Sequence, residues 1–497
     1  MIGRSIILAA VLTTTWMVAG SSAAAQLTAE QDWRQMMEQL GITSLRPGPS
    51  GDETAPNHAN YDPSKANPFP EYPDPLRMKD GTPVSNARQW ASRRRPEIVE
   101  AFEREVYGRV PTNVPRVTWS ETASENEIFV LPGGFKAVQA TKIVGHVENR
   151  LAPDIEVNLR AMLILPQGAK NVPVLVMFGP ADFPAPTGPQ GADLERVNNA
   201  LREAMIARDP GLKPILDRHP GYMVARSTGV LPPPPESRLQ DLVAAGWGVM
   251  LLDPASIQPD NGAMLRQGII GLTNKGAPRT PTDWGVLRAW GWGASKGLEY
   301  LQTRPEVDPT RIGVEGVSRY GKAALVAAAF DPRFAMVLVG SSGKGGVTPF
   351  RRNWGEAVEN LTGSGSYHWM AGNFLKYGGP KNAGDLPVDS PELLALVAPR
   401  LAFISYGVPA QGDARWLDQQ GSYMATVQAG RVWRLLGAKD LGVGDDYKAA
   451  KMPPPLTALT DGQLAWRQHE GGHTDAPNMK AFIEWAERNR QRDPLSR

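Results

Sequence analysis

The chain has 497 residues, with 53 Lys and Arg set against 51 Asp and Glu for a formal charge of +2. That balance leaves no basic footprint for nucleic acid, and 41% apolar with 21% charged residues excludes a disordered chain or a coiled coil. There is no cysteine, which removes disulfides, thiolate metal sites and thiol nucleophiles together, and any working imidazole must be one of six histidines.

In chain order, the first residues predict an export signal. Arg4 is its charged region, residues 6–20 its apolar stretch and Ala23-Ala24-Ala25 its cleavage box, so that residues 1–25 are removed and Gln26 becomes the first residue. The apolar stretch is shorter than the ~20 residues of a membrane span. An exported protein, periplasmic or extracellular, with no membrane attachment after signal removal is therefore expected. Residues 26–115 are rich in Pro, Asn, Asp and Gly and read as an N-terminal extension with one helix opening at Arg95-Pro96. Strands are predicted at 137–147 and 155–165. The nearly all-apolar run 172–178 fits a strand covered on both faces. Residues 181–238, with Pro and Gly at both ends and a helical centre at 194–207, read as an insertion, after which a strand resumes at 247–253. A regular alternation follows: helix 283–303, strand 312–315, helix 321–330, strands 336–340 and 401–406, and a final helix 478–490. Such alternation predicts one three-layer α/β domain built on a mainly parallel sheet.

The sharpest local signal is Ile312-Gly313-Val314-Glu315-Gly316-Val317-Ser318-Arg319-Tyr320-Gly321-Lys322, a strand, a tight turn and a helix with serine at the apex. This is the shape of the nucleophile elbow of the α/β-hydrolase fold, in which small residues let the turn close and the helix start offers N–H groups to an oxyanion. Ser318 is thus the candidate nucleophile, against its simpler use as a helix N-cap. The general pattern has glycine two residues after the serine; here that position is Tyr320 and the glycine is Gly321.

In this fold the base follows the last strand and comes after the acid. His58, His146 and His219 lie too early, and His368 sits among aromatic residues where packing explains it. His473, in a Gly-Gly loop before the final helix, is preferred over His469, which lies within strand-like sequence. For the acid, the loop after strand 401–406 offers Asp413 and Asp418. Asp418 stands directly before a predicted helix it could cap, so Asp413 is preferred. No cluster of His with Asp or Glu has metal-ligand spacing, so neither metal nor cofactor is expected.

Gly316-Val317-Ser318-Arg319-Tyr320-Gly321-Lys322 resembles the G-x-S-R-x-G-K motif of the glucuronoyl esterases, carbohydrate esterase family 15, which places the glycine where this chain has it. Arg93-Arg94-Arg95-Pro96-Glu97-Ile98 through Val106-Tyr107-Gly108-Arg109-Val110-Pro111, Asn353-Trp354-Gly355-Glu356 with Glu359-Asn360, His368-Trp369 with Asn373-Phe374, and Gly472-His473 resemble further blocks of that family. The resemblance implies metal-free hydrolysis of the ester between 4-O-methyl-glucuronic acid of glucuronoxylan and a lignin alcohol. It implies Ser318 as nucleophile, His473 as base and then acid, Arg319 on the oxyanion, and Lys322, Glu356 and Trp416 holding the sugar. Many members carry a catalytic Glu in an E-S-G-x-G-G run, where this chain has Ser341-Ser342-Gly343-Lys344-Gly345-Gly346. Some bacterial members take the acid from the later loop, in agreement with Asp413. The competing expectations are an exported esterase for acetylated sugars or other carboxylic esters, and a carbohydrate-binding pseudoenzyme.

Overall fold

The computed structural model describes residues 27–69, 71–131, 134–183, 191–220 and 237–489. The predicted export signal lies outside the described residues, as do 184–190 and 221–236 of the predicted insertion. Among the described residues ten strands form one sheet: β1 Val117–Leu131, β2 Gly134–Val147, β3 Asn158–Pro166, β4 Val172–Phe178, β5 Gly248–Leu252, β6 Val307–Val317, β7 Met336–Gly340, β8 Leu401–Tyr406, β9 Ala458–Leu459 and β10 Leu464–Gln468. Their order is β1-β2-β3-β5-β4-β6-β7-β8-β10-β9. The six strands from β5 to β10 in that order are mutually parallel; β1, β2 and β3 form an antiparallel edge, and β9 closes the other edge antiparallel to β10.

The apolar run of β4 is explained by layers on both faces. Side chains alternate along a strand, so Val174, Val176 and Phe178 join one core and Leu175 and Met177 the other. The larger core lies under the helices Val286–Leu301, Arg319–Phe330 and Gln419–Leu435; the smaller lies under Ser237–Ala244 and Met479–Asn489. Helices 286–301 and 319–330 pack closely because Gly291 has no side chain to push against the Ala327 backbone, 3.3 Å from where its Cβ would stand.

Several predicted bounds move. β7 and β8 match the predicted strands, whereas β3 starts at Asn158 and β6 spans Val307–Val317, well beyond 312–315. The helix predicted from 321 begins at Arg319, since Ser318 already takes the N-cap position. The helix predicted at 283–303 runs Val286–Leu301, and the last runs Met479–Asn489. β1 carries no apolar alternation in its sequence: it is an exposed edge strand rich in Glu, Ser and Thr, formed by pairing with β2 along its whole length.

The N-terminal extension packs on the same core. Its helix Ala29–Gln39 starts with a capping box between Thr28 and Gln31 and buries Met36 and Met37. From that helix Asp32 accepts a 2.7 Å hydrogen bond from the Tyr367 hydroxyl, one residue before His368. The extension thus braces a loop that reaches the elbow.

Candidate active site

β6 delivers Ser318 to the C-terminal edge of the sheet with φ 62° and ψ −129°, a backbone conformation that L side chains rarely adopt and that costs of order 1–3 kcal/mol. The surrounding backbone holds it there: the Ser318 amide donates to Gly340 O at 2.9 Å, and Ser318 O accepts from the Lys322 amide at 3.0 Å. Although it occupies the helix N-cap, its hydroxyl makes no capping bond.

The displaced glycine has a steric reason. A Cβ on Gly316 would stand 2.2 Å from Tyr320 O, and one on Gly321 would stand 2.6 Å from Gly340 O, so the turn closes only with glycine at both places. Position 320 has room for a side chain, which packs with its ring centroid 6.0 Å from Phe178 and 5.3 Å from Trp290.

The loops after β8 and β10 are tied by a Val408 amide to Gly471 O bond of 2.9 Å. They bring Asp413 and His473 together, with Nδ1 of His473 2.8 Å from Oδ1 of Asp413. The second oxygen of Asp413 accepts from Ser341 Oγ at 2.9 Å, from the Gly407 amide at 2.9 Å and from Gln419 Nε2 at 3.4 Å. Asp413 is 1% exposed, so these donors rather than water satisfy it. A carboxylate only accepts, which makes Nδ1 of His473 the N–H nitrogen and leaves Nε2 as a base. Ser341 follows Gly340 directly, so the acid–imidazole pair adjoins the strand end that holds Ser318.

The competing candidates have other work. Asp418 accepts from Arg352 Nε at 2.7 Å and from the Gly421 amide at 3.0 Å, capping helix Gln419–Leu435. His469 is fully buried: its Nδ1 accepts from the Gly471 amide at 3.0 Å, so Nε2 donates to Thr474 O at 2.7 Å. Burial pushes its pKa down, with the Thr474 carbonyl opposing. His368, also buried, turns Nε2 to Asp260 Oδ1 at 2.9 Å.

Arg319 follows Ser318 at the start of helix Arg319–Phe330. Its Nη1 donates to Asp260 Oδ2 at 2.6 Å, and its guanidinium carbon lies 5.7 Å from the Trp369 ring centroid. Lys322 is buried, donates to Ser342 O at 2.6 Å and lies 3.8 Å from Glu356 Oε2. Burial lowers its pKa and Glu356 opposes that. Glu356 Oε2 accepts from the Lys344 amide at 3.3 Å, and its own amide donates to Trp416 O at 3.1 Å. Trp416 is 38% exposed, the one surface-facing member of this group. The structure therefore brings Lys322, Glu356 and Trp416 together beside the elbow helix.

Sequence reasoning missed Asp260, Trp369 as its indole donor, and Ser341 as a support for Asp413. Asp260 is 59 residues from Arg319 and follows β5 in an ordinary Pro-Asp-Asn turn, so no spacing marks it. Burial opposes its ionisation, but hydrogen bonds from His368, Trp369 and Arg319 outweigh burial and hold its pKa at about 2. Among the described residues no group of three or more His, Asp or Glu could hold a metal ion, and no helix is long and apolar enough to cross a membrane.

A parallel strand, a strained turn bearing Ser318 and a helix, set in this strand order, define an α/β-hydrolase. A family model described as "Glucuronyl esterase, fungi" matches residues 279–437, the span from the helix before β6 to helix Gln419–Leu435. The solved structure of a CE15 glucuronoyl esterase from Teredinibacter turnerae T7901 is 38% identical, with a TM-score of 0.76 over 93% of this chain and 100% of that one. A glucuronoyl esterase from Solibacter usitatus is 28% identical, with a TM-score of 0.65 over 86% of this chain and 99% of its own. The carbohydrate esterase MZ0003 of an unknown prokaryotic organism is 29% identical over 455 residues, 90% of this chain and 96% of its own. The chain belongs to carbohydrate esterase family 15, the glucuronoyl esterases, and is a carboxylic ester hydrolase.

Proposed function

We propose that this protein hydrolyses the ester between 4-O-methyl-glucuronic acid of glucuronoxylan and a lignin alcohol, through an acyl-enzyme on Ser318. The observation that carries the proposal is the Asp413–His473 pair at 2.8 Å, with Nε2 left as base, in loops at the same end of the parallel sheet as a serine whose hydroxyl is spared from capping. His473 takes the Ser318 proton as Oγ adds to the uronate carbonyl, then gives it to the departing alcohol; water reverses the sequence and releases glucuronate. Arg319, through its backbone N–H and its guanidinium, stabilises the tetrahedral oxyanion more than the neutral ester, which lowers the barrier. Lys322 and Glu356 hold the sugar hydroxyls, and the Trp416 indole offers a flat apolar face with one N–H. Export after loss of residues 1–25 brings the enzyme to a polymer that cannot enter the cell. Residues 26–115 and 181–238 belong to this one domain as extension and insertion.

The test is release of glucuronic acid from benzyl glucuronate beside an acetyl ester, with wild type and Ser318→Ala. Glucuronate release that is lost in the variant is expected. Acetyl release alone would move the enzyme to acetylated substrates, and activity on neither would favour a binding protein.

A further inference from the structure

The reading of Arg319 as an oxyanion donor raises a physical question: what holds its guanidinium still. The Arg319 side chain is 49% exposed. An exposed arginine on a flexible stem visits many rotamers, and a donor that must reorganise at the moment of reaction loses most of its effect. Asp260 answers this geometrically. It stands between the short helix Pro254–Ile257 and the 3-10 turn Gly262–Met264, its side chain 23% exposed. Oδ2 accepts from Arg319 Nη1 at 2.6 Å, while Oδ1 accepts from Trp369 Nε1 at 2.6 Å and from His368 Nε2 at 2.9 Å.

Those two donors fix the carboxylate from the opposite side to Arg319, and both come from the turn Tyr367–Trp369 that the N-terminal helix braces through Asp32. His368 has its Nδ1 buried without a hydrogen-bond partner among the described residues. A proton there would be an unpaired buried donor, so the ring is held as the tautomer that donates from Nε2 to Asp260. The Trp369 ring also lies 5.7 Å from the Arg319 guanidinium and 5.8 Å from Lys322 Nζ, within cation–π reach of both. One oxygen of Asp260 is thus anchored to a rigid turn and the other is offered to the arginine.

We propose that Asp260, locked by Trp369 and His368, is a positioning residue that holds the Arg319 guanidinium beside Ser318 for the developing oxyanion. The inference rests on the reading of Arg319 given above. Asp260 touches neither substrate nor reacting atoms; it acts through Arg319 alone. Loosening a positioned transition-state donor lowers kcat while leaving ground-state binding nearly intact.

A double-mutant cycle on benzyl glucuronate tests this, with rates of the slow variants taken at high enzyme concentration. Asp260→Asn is expected to lower kcat about tenfold to a hundredfold with KM within about threefold and an unaltered near-UV spectrum. In an Arg319→Ala background the same substitution is expected to change kcat less than about twofold. Should Asp260→Asn fail to fold, Trp369→Phe, which removes the indole donor and keeps a ring, supplies the same comparison with a smaller loss. An unchanged kcat in Asp260→Asn, or the same fold-loss in both backgrounds, would overturn the inference while leaving Arg319 in its role. Wild-type rates in Arg319→Ala alone would overturn the oxyanion reading, and this inference with it.

Discussion

Replacing Asp413 by Asn leaves its shape and changes the proton on His473. Oδ2 of Asp413 faces three donors, the Gly407 amide and Ser341 Oγ, both at 2.9 Å, and Gln419 Nε2 at 3.4 Å, and the Gly407 N–H cannot reverse its role. An asparagine must therefore turn its carbonyl oxygen to that side and its NH2 toward His473. Facing a donor, Nδ1 becomes the acceptor, and the proton moves to Nε2, the nitrogen that in the proposed mechanism takes the Ser318 proton. The wrong tautomer, together with loss of the charge that steadies the imidazolium, is worth about 10⁴-fold in kcat in serine hydrolases of this design, or about 5.4 kcal/mol of transition-state stabilisation. Folding is spared because the three donors on the Oδ2 side keep an acceptor. Steady-state hydrolysis of benzyl glucuronate measures kcat, and thermal denaturation checks the fold. A loss smaller than about tenfold, in a folded variant, would refute the assignment of Asp413 and send the search to another carboxylate.

Ser341→Ala removes one donor to Asp413 and leaves the others, so a loss of about 1 kcal/mol, roughly fivefold in kcat, is expected from the same assay. Lys322→Met keeps the buried stem and removes the charge; a lost hydrogen bond from a charged group, about 1.5–3 kcal/mol, predicts a fall of about tenfold to a hundredfold in kcat/KM for the glucuronate ester. Gly316→Ala sets a Cβ 2.2 Å from Tyr320 O, so the elbow cannot close, and the variant is expected to be inactive and to melt lower, or to be recovered insoluble. Acid stability carries a sign set by Asp260. Its folded pKa, about 2, lies below the ordinary 3.8, so the unfolded chain binds the proton more readily, and this contribution is full above pH 4 and lost as pH falls through 2. Urea titrations at pH 5 and pH 2.5 are expected to show a stability gap between wild type and Asp260→Asn that narrows in acid; a constant gap would contradict it.

What could be read from the sequence followed how much of each signal is local. β7 and β8 are short runs buried on both faces, and their bounds agree with the pattern of apolar residues. The elbow announces itself because strand, small residues and helix are contiguous. β1 was invisible because an exposed edge strand owes its existence to 14 paired positions in β2, not to its own alternation. The site divides in the same way. Loop position alone led to Asp413 and His473, 60 residues apart, which the structure sets within hydrogen-bond distance. The cap at Asp418 was suggested by the helix after it, whereas its ion pair with Arg352 came only from the fold. Asp260, His368 and Trp369 meet Arg319 from separate loops, and nothing in their spacing says so. The resemblance to family 15 highlighted His368-Trp369 without giving a reason; the shared carboxylate of Asp260 supplies one.

The proposed mechanism has Ser318 carry the glucuronoyl group. Rapid acid quench of the enzyme with an activated aryl ester of glucuronic acid, followed by peptide mass spectrometry, tests it directly. A glucuronoyl adduct on the peptide containing Ser318 is expected, absent in Ser318→Ala, which also loses turnover. An adduct on another residue, or turnover retained by Ser318→Ala, would contradict it.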